Sequence, residues 1–406
     1  MLLQRLLTLT LLLASFNLSA QRYYFENISV DHGLPASKAY AVLQDSTGLV
    51  WVGTEGGLAS YDGNSVSTFG SAHGLAENGA RSLFLDRKGR LWVGHLGGGI
   101  TILEDRTFTS ITIAGLKLTS DVTGFAQDAQ GSIWVSTYGQ GVLKLGEVDI
   151  AAREALAEVF ATPQRISINI PFILGLQDGT ICILEDGGSA KHWDPSGKSF
   201  KPLEPSGLPE IAHFTSLFED RKGNLWFSSL SSGAFKVDRT RNQVTSFDIA
   251  SGLPSNFTTC FSEDLDGNIY IGTWDAGLAR IESEGIQRFN PDNGLHSVAV
   301  RALALDREGN LLVATNDHGM DLYRGERFLT FNDEDGLLDP QVWAVMEDQD
   351  RRIWFGTNGG INILDPSNKS TARVKTLTAQ QGDLTSNRVR CLKQDSRGHV
   401  WIGMES

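Results

Sequence analysis

Cysteine is scarce in this chain of 406 residues: Cys182, Cys260 and Cys391 are the only three. Three thiols cannot all pair, and none lies in a Cys-x-x-Cys, so neither a disulfide framework nor a thiolate metal cluster is indicated. They sit in apolar segments and read as small buried hydrophobes, not as ligands or nucleophiles. The eight histidines are scattered, with no His-Glu-x-x-His. Also missing are a Gly-x-Ser-x-Gly elbow, a phosphate-binding glycine loop, histidine-kinase motifs and a helix-turn-helix. No catalytic residue, metal site or cofactor is therefore expected. Positive charge is in deficit, 35 Lys and Arg against 48 Asp and Glu, for a net charge of -13. That argues against nucleic acid and against a membrane surface as partners, since both need basic patches. Helix-like composition is confined to residues 147–165, which the pattern makes an insertion or an irregular outer strand. After residue 20 no apolar run approaches membrane length.

Residues 1–20, MLLQRLLTLTLLLASFNLSA, have an early Arg, an apolar centre and Ala20 before Gln21. This is the pattern of a secretory signal peptide, and it predicts a periplasmic or secreted protein.

What is abundant is repetition. The stretch Asp220 to Ser229 (DRKGNLWFSS) returns at Asp45, Asp86, Asp128, Asp264, Asp306, Asp348 and Asp395, with a shortened copy at Gln177. The Trp-equivalent positions are 51, 92, 134, 182, 226, 270, 312, 354 and 401, spaced by 41 to 48 residues. A period in the low forties is a signal about the whole fold. Asp-x-x-Gly makes a turn, because the Asp caps backbone amides and Gly takes a positive φ. Apolar β-formers flank it, giving a hairpin. A small pair such as Gly53-Thr54 follows, where a neighbouring backbone can come close. Then come a Gly-led third strand and a fourth strand bearing an aromatic (Phe69, Phe108, Phe247, Phe289, Phe331). Four antiparallel strands per period define an all-β fold, a β-propeller of four-stranded blades. The repeated Trp51, Trp92, Trp134, Trp226 and Trp354 are expected to be buried and structural. Asp264-Leu-Asp-Gly-Asn is read as a hairpin turn, since it lacks the spacing of a calcium loop.

Residues 23–33 look like a fourth strand and closing loop that arrive before any first three strands. A ring of blades is commonly closed by such a strand, which removes the exposed edge. The count predicts a seven-bladed ring over 21–325, closed by pairing of the Phe25 segment with Met320 to Tyr323; the competing arrangement is a single ring of eight or nine blades that uses all the repeats, with Val400 to Ile402 near the seam. Residues 326–406 are then the start of a second, truncated propeller, with Glu326 to Phe331 as its early fourth strand.

The units Asp-x-x-Gly-x-[Leu/Ile]-Trp-[Val/Ile/Phe]-Gly-Thr, then Gly-[Leu/Ile], then Gly-Leu-Pro-Ser-Asn at 252–256, resemble the two-component regulator propeller repeats of periplasmic sensor regions of hybrid sensor histidine kinases and related regulators. The resemblance covers nearly all of the chain after residue 20. It implies a periplasmic ligand-sensing region, glycan fragments as the cue, no catalysis in this chain, and a parent with kinase activity beyond residue 406. The expected partners are a small-molecule or oligosaccharide ligand and, for the full-length receptor, a second copy. The membrane is expected to be met only through parts C-terminal to this chain. A secreted scaffold that binds protein, or an extracellular propeller lyase or hydrolase, are the alternative readings.

In a blade, the loop between strands two and three and the loop leading into the next blade share a face. On that face the sequence places Glu55, His95, Tyr138, Ser231, Trp274, Asp275, Asn316, His318 and Asn358, with Asn78, Asn256, His296 and Asn387 from the second loop set. Trp274 and Trp343 lie outside the repeated Trp position, so packing of the repeat does not require them. Aromatic faces amid Asn, Asp and His suit a sugar ring.

Overall fold

The computed structural model describes residues 23–161, 166–203, 208–209, 213–283, 285–325, 336–365 and 374–405. The chain divides into two compact units, one covering 22–327 and the other containing 328–406. The signal-peptide segment and the strand expected at 326–331 lie outside the described residues.

In the first unit each repeat folds into four antiparallel strands. In blade 1, Ala39–Gln44, Val50–Thr54, Leu58–Tyr61 and Val66–Phe69 pair in chain order. Blades 2 to 6 follow over 80–113, 122–160, 172–202, 214–247 and 258–289. Blade 7 takes three strands from 300–323 and its fourth from the chain start: Phe25 pairs with Tyr323 and Ile28 with Met320. The first strands of successive blades pack against one another, and that of blade 7 packs against that of blade 1, so the seven close into a ring. The pairing of the Phe25 segment is the one counted from the repeats.

The Asp-x-x-Gly turn does more than reverse the chain. In blade 2 one oxygen of Asp86 accepts from the backbone amides of Lys88 and Arg90, and the other accepts from Trp92 Nε1 at 2.9 Å. The same bond joins Asp45 to Trp51, Asp128 to Trp134 and Asp220 to Trp226, at 2.7 to 3.0 Å. The indole is thus buried with its N–H satisfied, as a buried polar group requires. Where Tyr270 and Leu312 replace Trp, Asn268 and Asn310 supply the donor to Asp264 and Asp306. The glycine two residues after Trp51 permits a close approach: a Cβ on Gly53 would lie 2.8 Å from the Ala80 carbonyl oxygen of blade 2.

The described part of the helix-like stretch is mostly strand. Glu154–Phe160 is the outer strand of blade 3, and it also pairs in parallel with the outer strand of blade 2. Blade 4, with Cys182 in the Trp position, still forms all its strands; Trp193 and Phe200 pack beside Trp134 and Phe160 instead.

The second unit holds one four-stranded sheet, Val342–Glu347, Ile353–Thr357, Ile361–Leu364 and Val374–Leu377, and a hairpin, Val389–Gln394 with Val400–Met404. Two expectations fail here. Trp354 is only half-buried, unlike its four counterparts in the ring, and Cys391 is exposed. Burial at these positions depends on a blade on each side, and the described residues of this unit supply one sheet and one hairpin.

Candidate functional site

All eight described first strands that lead into a repeat Asp-turn share one more feature: a bulge. In the first ring the register slips between Ala39 and Ala41, Ala80 and Ser82, Val122 and Gly124, Phe214 and Ser216, Thr258 and Cys260, and Val300 and Ala302. The second unit has the same slip between Val342 and Ala344 and between Val389 and Cys391. A bulge re-aims one side chain. In the ring the bulged residues are Tyr40, Arg81, Thr123, Thr215, Thr259 and Arg301, and all of them line a central cavity of about 520 Å³.

Both loop sets do meet on one face. The residue after strand two donates its amide to the carbonyl two positions before the bulge: Glu55 to Lys38, Leu96 to Gly79, Tyr138 to Asp121, Leu230 to His213, Trp274 to Phe257 and Asn316 to Ala299. This bond sets the rim of loops beside the cavity mouth.

The bulged residues divide the mouth in two. Thr123, Thr215 and Thr259 donate their hydroxyls to carbonyls of the next blade, those of Ile170, Thr258 and Val300. On the opposite arc, neighbouring blades 7, 1 and 2 contribute Arg301, Tyr40 and Arg81. The Arg301 guanidinium lies 4.9 Å from the Tyr40 ring centre and 4.8 Å from that of Trp274. Its Nε donates to Asn316 Oδ1 at 2.8 Å. Arg81 and Lys38 approach Tyr40 at 5.7 and 5.5 Å. Burial, and then the charge of Arg81, draw the Arg301 pKa downward, although a guanidinium stays protonated throughout the working range.

Of the residues expected from sequence, Trp274 and Asn316 are thus brought together, on Arg301. Glu55 lies next to them in the ring, 3.6 Å from Lys38. Tyr138 is exposed and donates to Asp186 at 3.0 Å. Asp275 and Ser231 are exposed rim residues. His318 is exposed and pairs with Asp317 at 3.1 Å. Asn358 belongs to the second unit, where it accepts from Trp343 and Arg390.

His95 is a correction. It stands where other repeats have Thr, and it is wholly buried, bonded to the Gly79 carbonyl and to Thr101 Oγ1. In that position Thr54, Thr137, Thr273 and Thr315 donate to a loop carbonyl, so the site is a structural lock. Burial lowers the His95 pKa to about 4. Asn78, Asn256 and Asn387 are also spent locally, each accepting an amide of its own connecting loop. His296 is held by buried Asp321.

Tyr40, Arg81 and Arg301 escaped the sequence reading. Their signal was present: the bulged residue stands eleven positions before each Trp position. Trp343 and Arg390 obey the same spacing, and Arg390 stacks on Trp343 at 4.4 Å.

Fold and mouth together define a β-propeller with an axial, ligand-sized opening. The chain carries repeats of the two-component regulator propeller family, matched at 33–56, 117–139, 336–359 and 383–406. Each match runs from a connecting loop through the first two strands of a blade. Among solved structures, the extracellular domain of a hybrid two-component system from B. thetaiotaomicron is similar at 22% identity, with a TM-score of 0.65 over 94% of this chain and 52% of that one. The extracellular domain of a one-component system from the same organism is similar at 22% identity and a TM-score of 0.60, over 94% and 51%. This chain therefore spans about half the length of both. Virginiamycin B lyase from Staphylococcus aureus shares the propeller fold at 12% identity, with a TM-score of 0.59 over 74% of this chain and 99% of the lyase. No curated protein matches.

Proposed function

We propose that this chain is the extracellular, ligand-sensing part of a two-component signalling protein, exported through its N-terminal segment and without catalysis of its own. The ligand is a glycan-derived oligosaccharide that enters the mouth of the first ring. The observation that carries this reading is Trp274, a half-buried aromatic on the rim, placed by the loop bond to Phe257 and stacked beside Phe257 at 6.0 Å. Packing of the repeat does not call for an aromatic there, since Glu55, Leu96, Leu230 and Asn316 take the equivalent place in four other blades. An indole face suits the apolar face of a sugar, and the amides and carboxylates around it suit hydroxyls. The repeat family and the fold shared with extracellular domains of two-component systems are consistent with that role.

Calorimetry of the protein against a panel of plant and host glycan oligosaccharides tests it. Trp274→Ala should weaken binding of the recognised sugar at least tenfold and leave the melting curve of the ring in place. Undiminished affinity in the variant removes Trp274 from the site, and a panel in which nothing binds defeats the glycan reading.

A further inference from the structure

We infer that the mouth of the first ring receives an anionic group of the ligand, a carboxylate or a sulfate, on the Arg301 guanidinium, with Arg81 as the second cation and Tyr40 between them. This rests on the sensing reading above and gives it a chemical class.

Three observations converge. The first is charge. Arg81 lies 3.7 Å from Asp121 and Lys38 lies 3.6 Å from Glu55, but among the described residues no carboxylate lies within ion-pair distance of Arg301. Asn316 engages only its Nε. The two terminal nitrogens form the planar fork that matches a carboxylate or sulfate bidentately. In a chain of net charge -13, this half-buried guanidinium has only the longer-range charge of Glu55, itself paired with Lys38, to balance it, and that is the feature that needs a partner.

The second is that structure alone does not ask for arginine here. At the bulges of blades 3, 5 and 6 a threonine closes the seam to the next blade. Blades 7, 1 and 2 instead carry two cations that converge on one tyrosine, and the charge of Arg81 disfavours that of Arg301, a cost that an anion between them would offset.

The third is the second unit, which repeats the motif with its charge cancelled. Arg390 stacks on Trp343 and is ion-paired with Glu405. An arginine serving only to pack on an aromatic is there given its own carboxylate, and Arg301 is not. The cavity beside Arg301, about 520 Å³, is in the size range of small-ligand sites, roughly 300–1,000 Å³.

The test uses the whole chain and three probes: inorganic sulfate, digalacturonic acid and its neutral counterpart galactobiose. At matched ionic strength, sulfate should raise the melting temperature of the unaltered protein above its value in chloride, and the increment should shrink in Arg301→Gln and in Arg81→Gln. The comparison with the variants removes the general stabilisation by sulfate, which acts on any folded surface. By calorimetry, digalacturonic acid should bind at least tenfold more tightly than galactobiose, and Arg301→Gln should close that gap. A response to sulfate alone assigns a sulfate ester, a preference for the uronate alone assigns a carboxylate, and either supports the anion site. Equal sulfate increments in all three proteins, together with no preference for the uronate, overturn it. A preference for digalacturonic acid over galactobiose that is as strong in Arg301→Gln as in the unaltered protein would also overturn it, while leaving the sensing reading intact. Should Arg301→Gln fail to fold by near-ultraviolet circular dichroism, Arg81→Gln decides the sulfate arm and the uronate arm alike.

Discussion

At the scale of the residue, chemistry and architecture are separated by very small differences. Each Asp of the repeat is a turn former and, where Trp stands six residues on, also the acceptor for its indole. The first role was legible in the sequence from Asp-x-x-Gly; the second was not, because it depends on the hairpin folding the indole back over the turn. His95 shows the converse. A histidine on the loop side of a strand suggests a ligand contact, but strand-two residues end inside the ring, and only the burial of Thr101 and Gly79 around it reveals the lock. Its titration gives a test. The folded pKa is lowered to about 4 by burial, against roughly 6.5 in an unfolded chain. The unfolded state therefore takes up the proton first as pH falls. The contribution of neutral His95, on the order of 3 kcal/mol, is complete above about pH 6.5 and lost progressively down to about pH 4. His95→Thr restores the residue of the other repeats and should flatten this part of the curve of stability against pH. The turn carboxylate of the same blade does not confuse the result. Burial works against ionisation of Asp86, yet hydrogen bonds from Trp92 and Arg90 hold its pKa below the ordinary carboxylate range, so its loss falls at lower pH. Denaturation curves of both proteins between pH 7 and pH 4.5 that run parallel would show that His95 is not a buried neutral imidazole.

At the scale of the element, the hairpin and its bulge are the units that repeat. The turn was readable because each of its steps has a residue that prefers it. The fourth position takes a positive φ, 78 to 95° at Gly48, Gly89, Gly131, Gly223, Gly267, Gly309 and Gly398. Arg351 holds the same place in the hairpin of 342–357 with φ 61°. A side chain in that region costs roughly 1 kcal/mol, so Arg351→Gly should relieve it and slow amide exchange across Val342–Glu347 and Ile353–Thr357 by up to about fivefold. Unchanged or faster exchange would mean that contacts of the Arg351 side chain outweigh its backbone strain. The bulge was not readable in the same way. No residue type marks it: Tyr, Arg, Thr and Trp all occupy it, because the slip is fixed by the strand pairing around it and not by the preference of the bulged residue. That is why the loop residues could be placed on one face while Arg301, Arg81 and Tyr40 were missed. The rim residues follow from loop topology, whereas the mouth residues follow from register.

At the scale of the whole first unit, the seam was the part most fully written in the sequence, since it needed only counting. An early fourth strand implies three strands left over at the far end of the ring, and 300–323 supplies them. What counting could not supply is how the seam is fastened. Phe25 stacks on Tyr323 at 4.7 Å, and Tyr23 lies 4.7 Å from Phe289 in blade 6. Asn27 Nδ2 donates to the His318 carbonyl and to buried Asp321. Glu26 accepts from Tyr61 in blade 1 and pairs with Arg324 in blade 7, bridging both sides of the closure. Tyr23, Phe25 and Ile28 are all buried. At about 1.5–3 kcal/mol for each large apolar side chain, these three contribute roughly 5–9 kcal/mol, comparable to the whole stability of a typical domain. Removing residues 23–28 should therefore do more than shorten the chain. The strand Met320–Tyr323 would become an open edge with unpaired amides and carbonyls, and such edges recruit other strands. The expected outcome is a protein that associates on standing and loses its cooperative melt, measured by light scattering and calorimetry. Phe25→Ala is the graded version: it should lower stability by about 3–5 kcal/mol while leaving the ring closed through the backbone pairs. A truncated chain that stays monomeric and melts as sharply as the intact one would show that the ring does not depend on this seam.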